Sequence, residues 1–485
     1  MKITNTLAVV LVAILTLGLG SCSSGKGRTI EINSEQDLIG KTLSCRSGNY
    51  YERKFSQMEG VNIFGCNTDS DAIEAVKQGF ADVAVTDEVL LTESRLRQLG
   101  LKKAWRGEEA FDVCFVLRKG DDATRNSINA FLSSMKEDGT LDAIISHWMN
   151  GTPAPEYPAA AETRNPEPLK VVVSLNMEPV CFLGERGQWK GVDPDIAQRF
   201  AYSLGRPCEI KLMNMSSAMI ALQTGKADIM CGCVFATDER RKNVDFAIPH
   251  FQCRPGYFVR DTQPRSRVSM AERIRMNLVT EERWKLIAHG LLETLKITIL
   301  AILLGTVLGA GICALRRGRR KWMRSFASIY GAFFQGIPVL VFLLIMFYII
   351  FANTGINASY VAVLTFALYF ASSSGTIFDT SISSVPRGQM EAGLSLGFTP
   401  LRTFNGIIFP QALKKGLPLY TSECVAILKN SSIVGYIAIQ DLTQASDLIR
   451  SRTYDALIPL LLVTILYFAL AWIIRLTLNL LLKKK

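Results

Sequence analysis

Histidine is scarce in this chain, with three in 485 residues. That leaves too few imidazoles for a histidine-built metal centre. The tightest cysteine pair, Cys231-Gly232-Cys233, has none nearby, so no metal is expected. A phosphate-binding loop is missing too. Gly40-Lys41-Thr42 has the ending of one, but position 35 is Glu35 where the motif needs its first Gly. No other stretch offers such a loop, so the chain has no ATP-hydrolysing motif and no cofactor is expected. Acidic residues are in deficit: 54 Lys and Arg against 43 Asp and Glu leave a net charge of +11. Much of this excess flanks apolar segments, which reads as membrane orientation and sets nucleic acid aside.

Apolar residues are abundant, 49% of the chain at a mean hydropathy of +0.21. They crowd into a short N-terminal run and into everything after about residue 287, so a soluble part is joined to a membrane part. A spanning helix needs ~20 mostly apolar residues. Five stretches qualify: Ile297–Leu315, Phe326–Ala352, Val361–Phe378, Leu417–Ile439 and Leu457–Leu482. Arg316, Arg317, Arg319, Arg320, Lys321 and Arg324 place six cations in nine residues of the first loop, whereas Asn353–Ser359 has none. By the positive-inside rule the first loop is cytoplasmic, the soluble part lies outside and the C-terminus inside. The basic stretch Arg260–Lys285 runs against this pattern, but a long translocated domain weakens the rule. Glu423 and Lys429 fall inside an expected span and should face protein or water.

The soluble part alternates strand and helix patterns. Residues 169–260 read as strands at Leu169–Ser174, Glu209–Leu212 and Ala227–Cys231, with helices near Asp195–Leu204 and Ser216–Thr224. This predicts βαβ units around a parallel sheet. Gly151–Pro168 carries five prolines and reads as a semi-extended linker. At the N-terminus, Lys2, the apolar run Leu7–Leu19 and Leu19-Gly20-Ser21-Cys22 form a lipoprotein-type signal or anchor over 1–22, with Cys22 the lipidation site. The eight cysteines from Cys45 to Cys253 would be extracytoplasmic, where disulfides are allowed, although their apolar strand contexts favour core packing.

Between two membrane-length segments, Glu391-Ala392-Gly393, Gly397 and Ile407-Ile408-Phe409-Pro410 have the spacing of the EAA loop of ABC-importer permeases. Phe334-Gln335-Gly336-Ile337-Pro338, Val385-Pro386-Arg387-Gly388-Gln389 and Leu428-Lys429-Asn430-Ser431-Ser432 are similar to further motifs of the amino-acid permeases. Thr376 and Asp379 stand where that family usually has Glu and Arg. Residues 169–262 resemble the first lobe of amino-acid-type periplasmic binding proteins, through Gly191–Ala197, Ala221–Ile229 and Thr237-Asp238-Glu239-Arg240. Residues 28–150 resemble the second lobe and terminal helices, through Leu38–Thr42, Ser47-Gly48-Asn49, Ala75–Asp87 and Gly139–Trp148. The second lobe thus comes first, which implies a circular permutation.

The resemblance implies an α/β two-lobed periplasmic-binding-protein-like domain, permuted, followed by an all-α membrane domain of five transmembrane helices. The expected divisions are 1–22, 28–150, 151–168, 169–262, a connector at 263–286 and the permease at 287–485. It implies the binding and permease subunit of an ABC importer for an amino acid or similar zwitterion. Such a subunit sits in the lipid bilayer of a bacterial inner membrane, binding domain outside, as a homodimer above a separate ABC ATPase subunit. Arg240 would take the ligand carboxylate and Asp87 its ammonium. Ser47, Asn49, Met177, Val180, Gly232, Cys233 and Phe235 would form the remaining wall. Glu391, Ala392, Gly393, Gly397 and Pro410 would couple to the ATPase. A transport-inactive sensor and a ligand-gated channel are the alternatives on the same scaffold.

Overall fold

The computed structural model describes residues 30–157, 165–184, 187–261, 269–352 and 354–483. The signal segment with Cys22 and part of the proline-rich linker lie outside the described residues. Fourteen strands are present among the described residues: β1 (Thr42–Arg46), β2 (Asn62–Cys66), β3 (Val83–Asp87), β4 (Leu101–Arg106), β5 (Phe111–Val113), β6 (Val116–Arg118), β7 (Leu169–Val173), β8 (Phe182–Leu183), β9 (Trp189–Lys190), β10 (Cys208–Leu212), β11 (Ile229–Cys231), β12 (Val244–Phe246), β13 (Phe251–Cys253) and β14 (Pro255–Arg260).

They form two five-stranded sheets with one plan. One lies in the first lobe in chain order (mainly residues 30–106) and one in the second (mainly residues 169–246), the reverse of the order in the binding proteins they resemble. The first runs β2-β1-β3-β14-β4 and the second β10-β7-β11-β6-β12. In each sheet the first three strands are parallel, and the fourth, antiparallel, comes from the other half of the chain. Runs such as Val83-Ala84-Val85 and Val171-Val172-Val173 are buried throughout, as strands covered by helices on both faces must be. The strands leading to the exchange, β5 and β13, pair antiparallel and bridge the two lobes. Helices Asp122–Glu137 and Thr140–Asn150 pack back toward the second lobe, where Phe131 meets Phe200 and Trp148 Nε1 donates to Asp195 at 2.9 Å.

The remainder is helical. Trp284–Arg316, Ala358–Ser383 and Leu457–Lys483 are long and apolar enough to cross a membrane. Lys321–Gly336 and Val339–Ile350 make a fourth only if counted as one span, because the chain turns by 104° between them. Pro338 has no N–H to continue the helical ladder, and Ile337 leaves helical geometry just before it. The fifth expected span, Leu417–Ile439, is divided. A helix Phe409–Asn430 ends in a 3-10 segment, Ser431–Ile437, and its Lys414, Lys415, Glu423 and Lys429 keep it from reading as an apolar span by composition. The two long helices Trp284–Arg316 and Ala358–Ser383 cross closely at small residues. A Cβ on Gly305 or Gly309 would meet Phe370 or Ser374 within 3 Å.

Both lobes rest on the helical part, by different means. The first lobe meets the end of the helix Leu442–Thr453. There Arg450 pairs with Asp71 at 3.0 Å, Lys77 donates to the Tyr454 carbonyl at 2.7 Å, and Arg95 donates to the Arg452 carbonyl. The second lobe meets the bent helix pair. Tyr348 Oη donates to the Ser217 carbonyl at 3.3 Å, and Lys226 donates to the Phe351 carbonyl. Arg452 joins the pieces: it pairs with Glu178 of the second lobe and Glu281 of the connector, each at 3.0 Å, and lies 4.6 Å over the Phe182 ring.

Candidate functional site

The cleft is lined by the ends of β1, β3, β11 and β13 and the helices that follow them. Asp87 ends β3 and is 5% exposed. Its Oδ1 accepts a 2.5 Å hydrogen bond from Tyr51, on the helix Tyr50–Ser56. Burial pushes its carboxyl up to about 6, against the lowering effect of the Tyr51 bond. Across the cleft, Arg240 lies on the short helix Asp238–Arg241, which Thr237 caps. Its Nη1 donates to the Phe235 carbonyl at 3.2 Å. Burial, and then the neighbouring Arg46 and Arg53, lower its guanidinium to about 10. Arg46 pairs with Asp69 at 3.1 Å and Arg53 with Glu239, but among the described residues no carboxylate pairs with Arg240.

The floor of the cleft is aromatic. Phe235 stacks on Phe111 at 4.8 Å between centroids and presents edges to Tyr50 and Tyr51. Gly232 and Cys233 form the turn leading to Phe235. Gly232 has φ +111°, and an added Cβ would press on Leu175 and Ser174 at 3.1 Å. Cys233 follows at φ 55°, unusual for a residue with a Cβ. Asp193 holds this turn, accepting from the Gly232 N–H at 2.7 Å and the Cys233 N–H at 3.4 Å, while its other oxygen meets His250 Nε2 at 2.8 Å.

The other expected wall residues divide. Asn49 caps the helix Tyr50–Ser56, accepting from the Glu52 N–H at 2.9 Å. Ser47 lies against Gly65, and Met177 and Val180 are buried in the core of the second lobe. Met177 bridges to Cys181 in a tight antiparallel turn and is 2% exposed. The structure therefore gathers Asp87, Cys233, Phe235 and the Arg240 side into one place and assigns Asn49 to helix capping. It also adds residues that sequence reasoning missed. Arg46 reaches across the cleft to donate to the Ser174 carbonyl at 3.3 Å, and its buried Nε has no partner. Tyr51 and Phe111 carried no local signal beyond being aromatic. Cys253 comes to Cys233 from β13, a meeting that only the strand exchange produces.

The stretch with EAA-like spacing is a helix, Arg387–Ser395, ended by Gly397 at φ +82°. The Gly397 N–H returns to the Leu394 carbonyl at 2.9 Å and the Phe398 N–H to that of Gly393 at 3.1 Å, a left-handed glycine stop. Gly393 is buried, and a Cβ there would strike the Thr403 side chain at 2.4 Å, which accounts for Gly in place of Ala. Pro410 opens the next helix, where a missing N–H costs nothing. Glu391 and Ala392 are exposed, beside Leu396 at 75% and Leu401 at 69% exposure. Asp379 pairs with Arg317 at 3.0 Å, beside the basic end of Trp284–Arg316, and so sits at the end of its helix.

Residues 169–420, more than half of the chain, match the bacterial extracellular solute-binding proteins, family 3. The probable amino-acid ABC transporter permease protein YckA of Bacillus subtilis is 33% identical over 205 residues, 42% of this chain and 90% of that protein. The chain belongs to both families. Further relatives of this binding–permease fusion include the L-cystine transport system permease protein TcyB of Bacillus subtilis. It is 29% identical over 192 residues, covering 39% of this chain and 82% of that one. A solved structure described as an amino acid ABC transporter with histidines is 31% identical, with a TM-score of 0.40, covering 45% of this chain and all of that one. The fusion is thus an amino-acid ABC importer subunit, with its binding lobes and permease helices on one chain.

Proposed function

We propose that the chain captures an amino acid or similar zwitterion between its lobes and passes it through its own permease domain, driven by ATP hydrolysis on a separate subunit. The observation that carries this reading is the pairing of opposite, unspent charges across the cleft. Among the described residues no carboxylate pairs with Arg240, on one lobe, and no Lys or Arg pairs with Asp87, at the end of a strand of the other. Arg supplies a planar fork suited to a carboxylate, and a buried carboxylate suits an ammonium. Phe235 stacked on Phe111 offers an apolar surface for the ligand's side chain.

The strand order supports the permutation. Running 169–260 first and 30–150 second would lead β14 straight into β1–β4 and then, through β5 and β6, back to the second lobe. Each sheet would then receive its foreign strand at a single crossing. The exposed Glu391, Leu394, Leu396 and Leu401 form a mixed acidic and apolar face suited to a groove on the ATPase. The complex is a homodimer in a bacterial inner membrane, with the lobes outside and the basic loop Arg316–Arg324 in the cytoplasm. Lipidation at Cys22 would add a second tether.

A screen of amino acids by thermal shift on the full-length protein tests the cargo assignment. At least one zwitterion should stabilise the wild type and fail to stabilise Arg240→Ala; no response to any amino acid overturns the assignment. The coupling assignment is tested by Glu391→Lys. This variant should bind ligand normally yet show no ligand-stimulated ATP hydrolysis once reconstituted with its ATPase, and normal stimulation would remove it.

A further inference from the structure

At the Asp87 end of the cleft lies a second, chemically different cluster. A carboxylate oxygen of Asp87 and the Sγ atoms of Cys233 and Cys253 all lie within 4.8 Å of one another, and all three residues are buried. They come from three places: the end of β3 in the first lobe, the turn after β11 in the second, and the end of β13 between them. We propose that Asp87, Cys233 and Cys253 form a site for a thiophilic divalent cation of the Zn²⁺ class, bridging the two lobes.

Three observations carry it. A tetrahedral zinc with Zn–S bonds of about 2.3 Å and Zn–O bonds of about 2.0–2.2 Å sets its ligand atoms about 3.5–3.8 Å apart, inside the spacing found. Asp87 is a buried carboxylate with no Lys or Arg in ion-pair contact among the described residues, a costly arrangement that a divalent cation relieves. The cluster also has the outer support that metal ligands need. Tyr51 fixes one carboxylate oxygen, and Asp193 holds the Cys233 backbone in its left-handed conformation, with His250 behind it. Ordinary core packing explains two buried thiols. It gives no reason to seat between them a carboxylate that has hydroxyl and thiol donors but, among the described residues, no paired cation. Three protein ligands leave a fourth position for water.

The cation and a ligand's ammonium would compete for Asp87, because Tyr51 already occupies Oδ1. The inference therefore bears on the proposed amino-acid cleft without resting on it: metal binding can hold where amino-acid binding fails, and the reverse.

The test uses the full-length protein in nanodiscs under thiol-protecting conditions, titrated with Co²⁺ and then Zn²⁺. One Co²⁺ per chain is expected, with a thiolate-to-cobalt charge-transfer band that Zn²⁺ abolishes. Cys233→Ser and Cys253→Ser should each weaken binding at least tenfold and reduce or remove that band. Cys208→Ser, at a distant cysteine, should leave it intact. Asp87→Asn should weaken binding while keeping a two-thiolate band, which distinguishes a lost ligand from a misfolded protein. A site with no cobalt–thiolate band, or a band that survives both cysteine substitutions, overturns the proposal. So does a Cys233–Cys253 disulfide, found by mass spectrometry in the isolated protein, that re-forms after reduction even in saturating Zn²⁺. In the amino-acid screen, Zn²⁺ should raise the apparent Kd of any stabilising amino acid; amino-acid binding untouched by saturating Zn²⁺ would remove the competition.

Discussion

The cleft between the lobes and the seam between the lobes and the membrane helices are both polar and largely buried, yet they use charge in opposite ways. In the seam, the charges are spent on each other: Arg450 on Asp71, Arg452 on Glu178 and Glu281, and Arg273 on Asp455 with contacts of 2.5 and 2.9 Å. In the cleft, Arg240 and Asp87 have no ionic partner among the described residues and the buried Nε of Arg46 is unsatisfied. Paired charges define one geometry and give up their capacity to bind anything else. Unpaired ones cost stability and keep that capacity. The seam is built to hold, and the cleft is built to receive.

The largest effect should come from breaking the seam at Arg452. Its side chain is 9% exposed and pairs with Glu178 of the second lobe and Glu281 of the connector, while its backbone carbonyl accepts from Arg95 of the first lobe. Two cavities flank it, of about 510 Å³ on the Arg95 and Tyr454 side and about 370 Å³ on the His289 and Gln440 side. Neighbours beside such space cannot close over a truncated side chain without moving. Removing one partner from a buried ion network costs about 3–5 kcal/mol, and the exposure of Glu178 places the expectation for Arg452→Ala near the lower end. Full-length Arg452→Ala should unfold at lower temperature, expose the connector at 269–283 to protease and lose uptake. Its amino-acid Kd should stay within about twofold, because the cleft charges are untouched. Loss of ligand binding in this variant would show that seam and cleft are one unit.

The cleft should respond in the opposite sense, with ligand affinity lost and docking kept. Arg240→Ala and Asp87→Ala should each weaken amino-acid binding by at least ~2 kcal/mol, since each leaves a charged group of a buried ligand unpaired. The double variant should lose less than the sum, because both residues hold one ligand in a single closed state. Isothermal titration of the four proteins closes the cycle. Strict additivity would mean that the two residues do not share a ligand.

How much of this could be read in the sequence depends on how far the information travels. The βαβ repeats are a short-range signal, and the strands and helices expected over 169–260 are present; the glycine stop at Gly397 and the helix-opening Pro410 are equally local, although the sequence reading assigns them only to the EAA-like spacing. The residues 221–229 that resemble a binding-protein lobe form a helix end and strand where the pattern placed them. The rest depends on contacts distant in sequence. The exchange of β6 and β14 is invisible to periodicity, since a strand reads the same whichever sheet receives it. In sequence Cys233 pairs with Cys231, two residues away, but its neighbour in space is Cys253. The bend at Pro338 was hidden by the apolar composition of Phe326–Ala352, which satisfies a length criterion whether or not the helix is continuous. In sequence Arg452 is one more basic residue between apolar segments. Its role comes from Arg95, Glu178 and Glu281, which the fold delivers from far along the chain.

The smallest effect separates two uses of a carboxylate within the seam. Asp441 caps the helix Leu442–Thr453, accepting from the Gln444 N–H at 3.0 Å and the Thr443 N–H at 3.2 Å, and from Tyr467 Oη at 3.2 Å. It is fully buried, and burial pushes its carboxyl from 3.8 up to about 6 despite those donors. A carboxyl with a raised folded-state pKa holds a proton that the unfolded chain releases. Its contribution to stability is therefore present in acid and lost as pH rises through about 6. Asparagine caps a helix as well as aspartate and carries no charge to bury. It has one acceptor oxygen in place of two, which returns about 1 kcal/mol of the roughly 3 kcal/mol that the shift represents. Full-length Asp441→Asn should accordingly be more stable than wild type by about 1–2 kcal/mol above about pH 7, with the gap closing between about pH 6 and 4. Thermal unfolding of the two proteins across that range reads the difference directly. A gap of the same size at both ends would mean that the carboxylate is compensated in the seam as Asp71 and Asp455 are, and that no unspent charge lies outside the cleft.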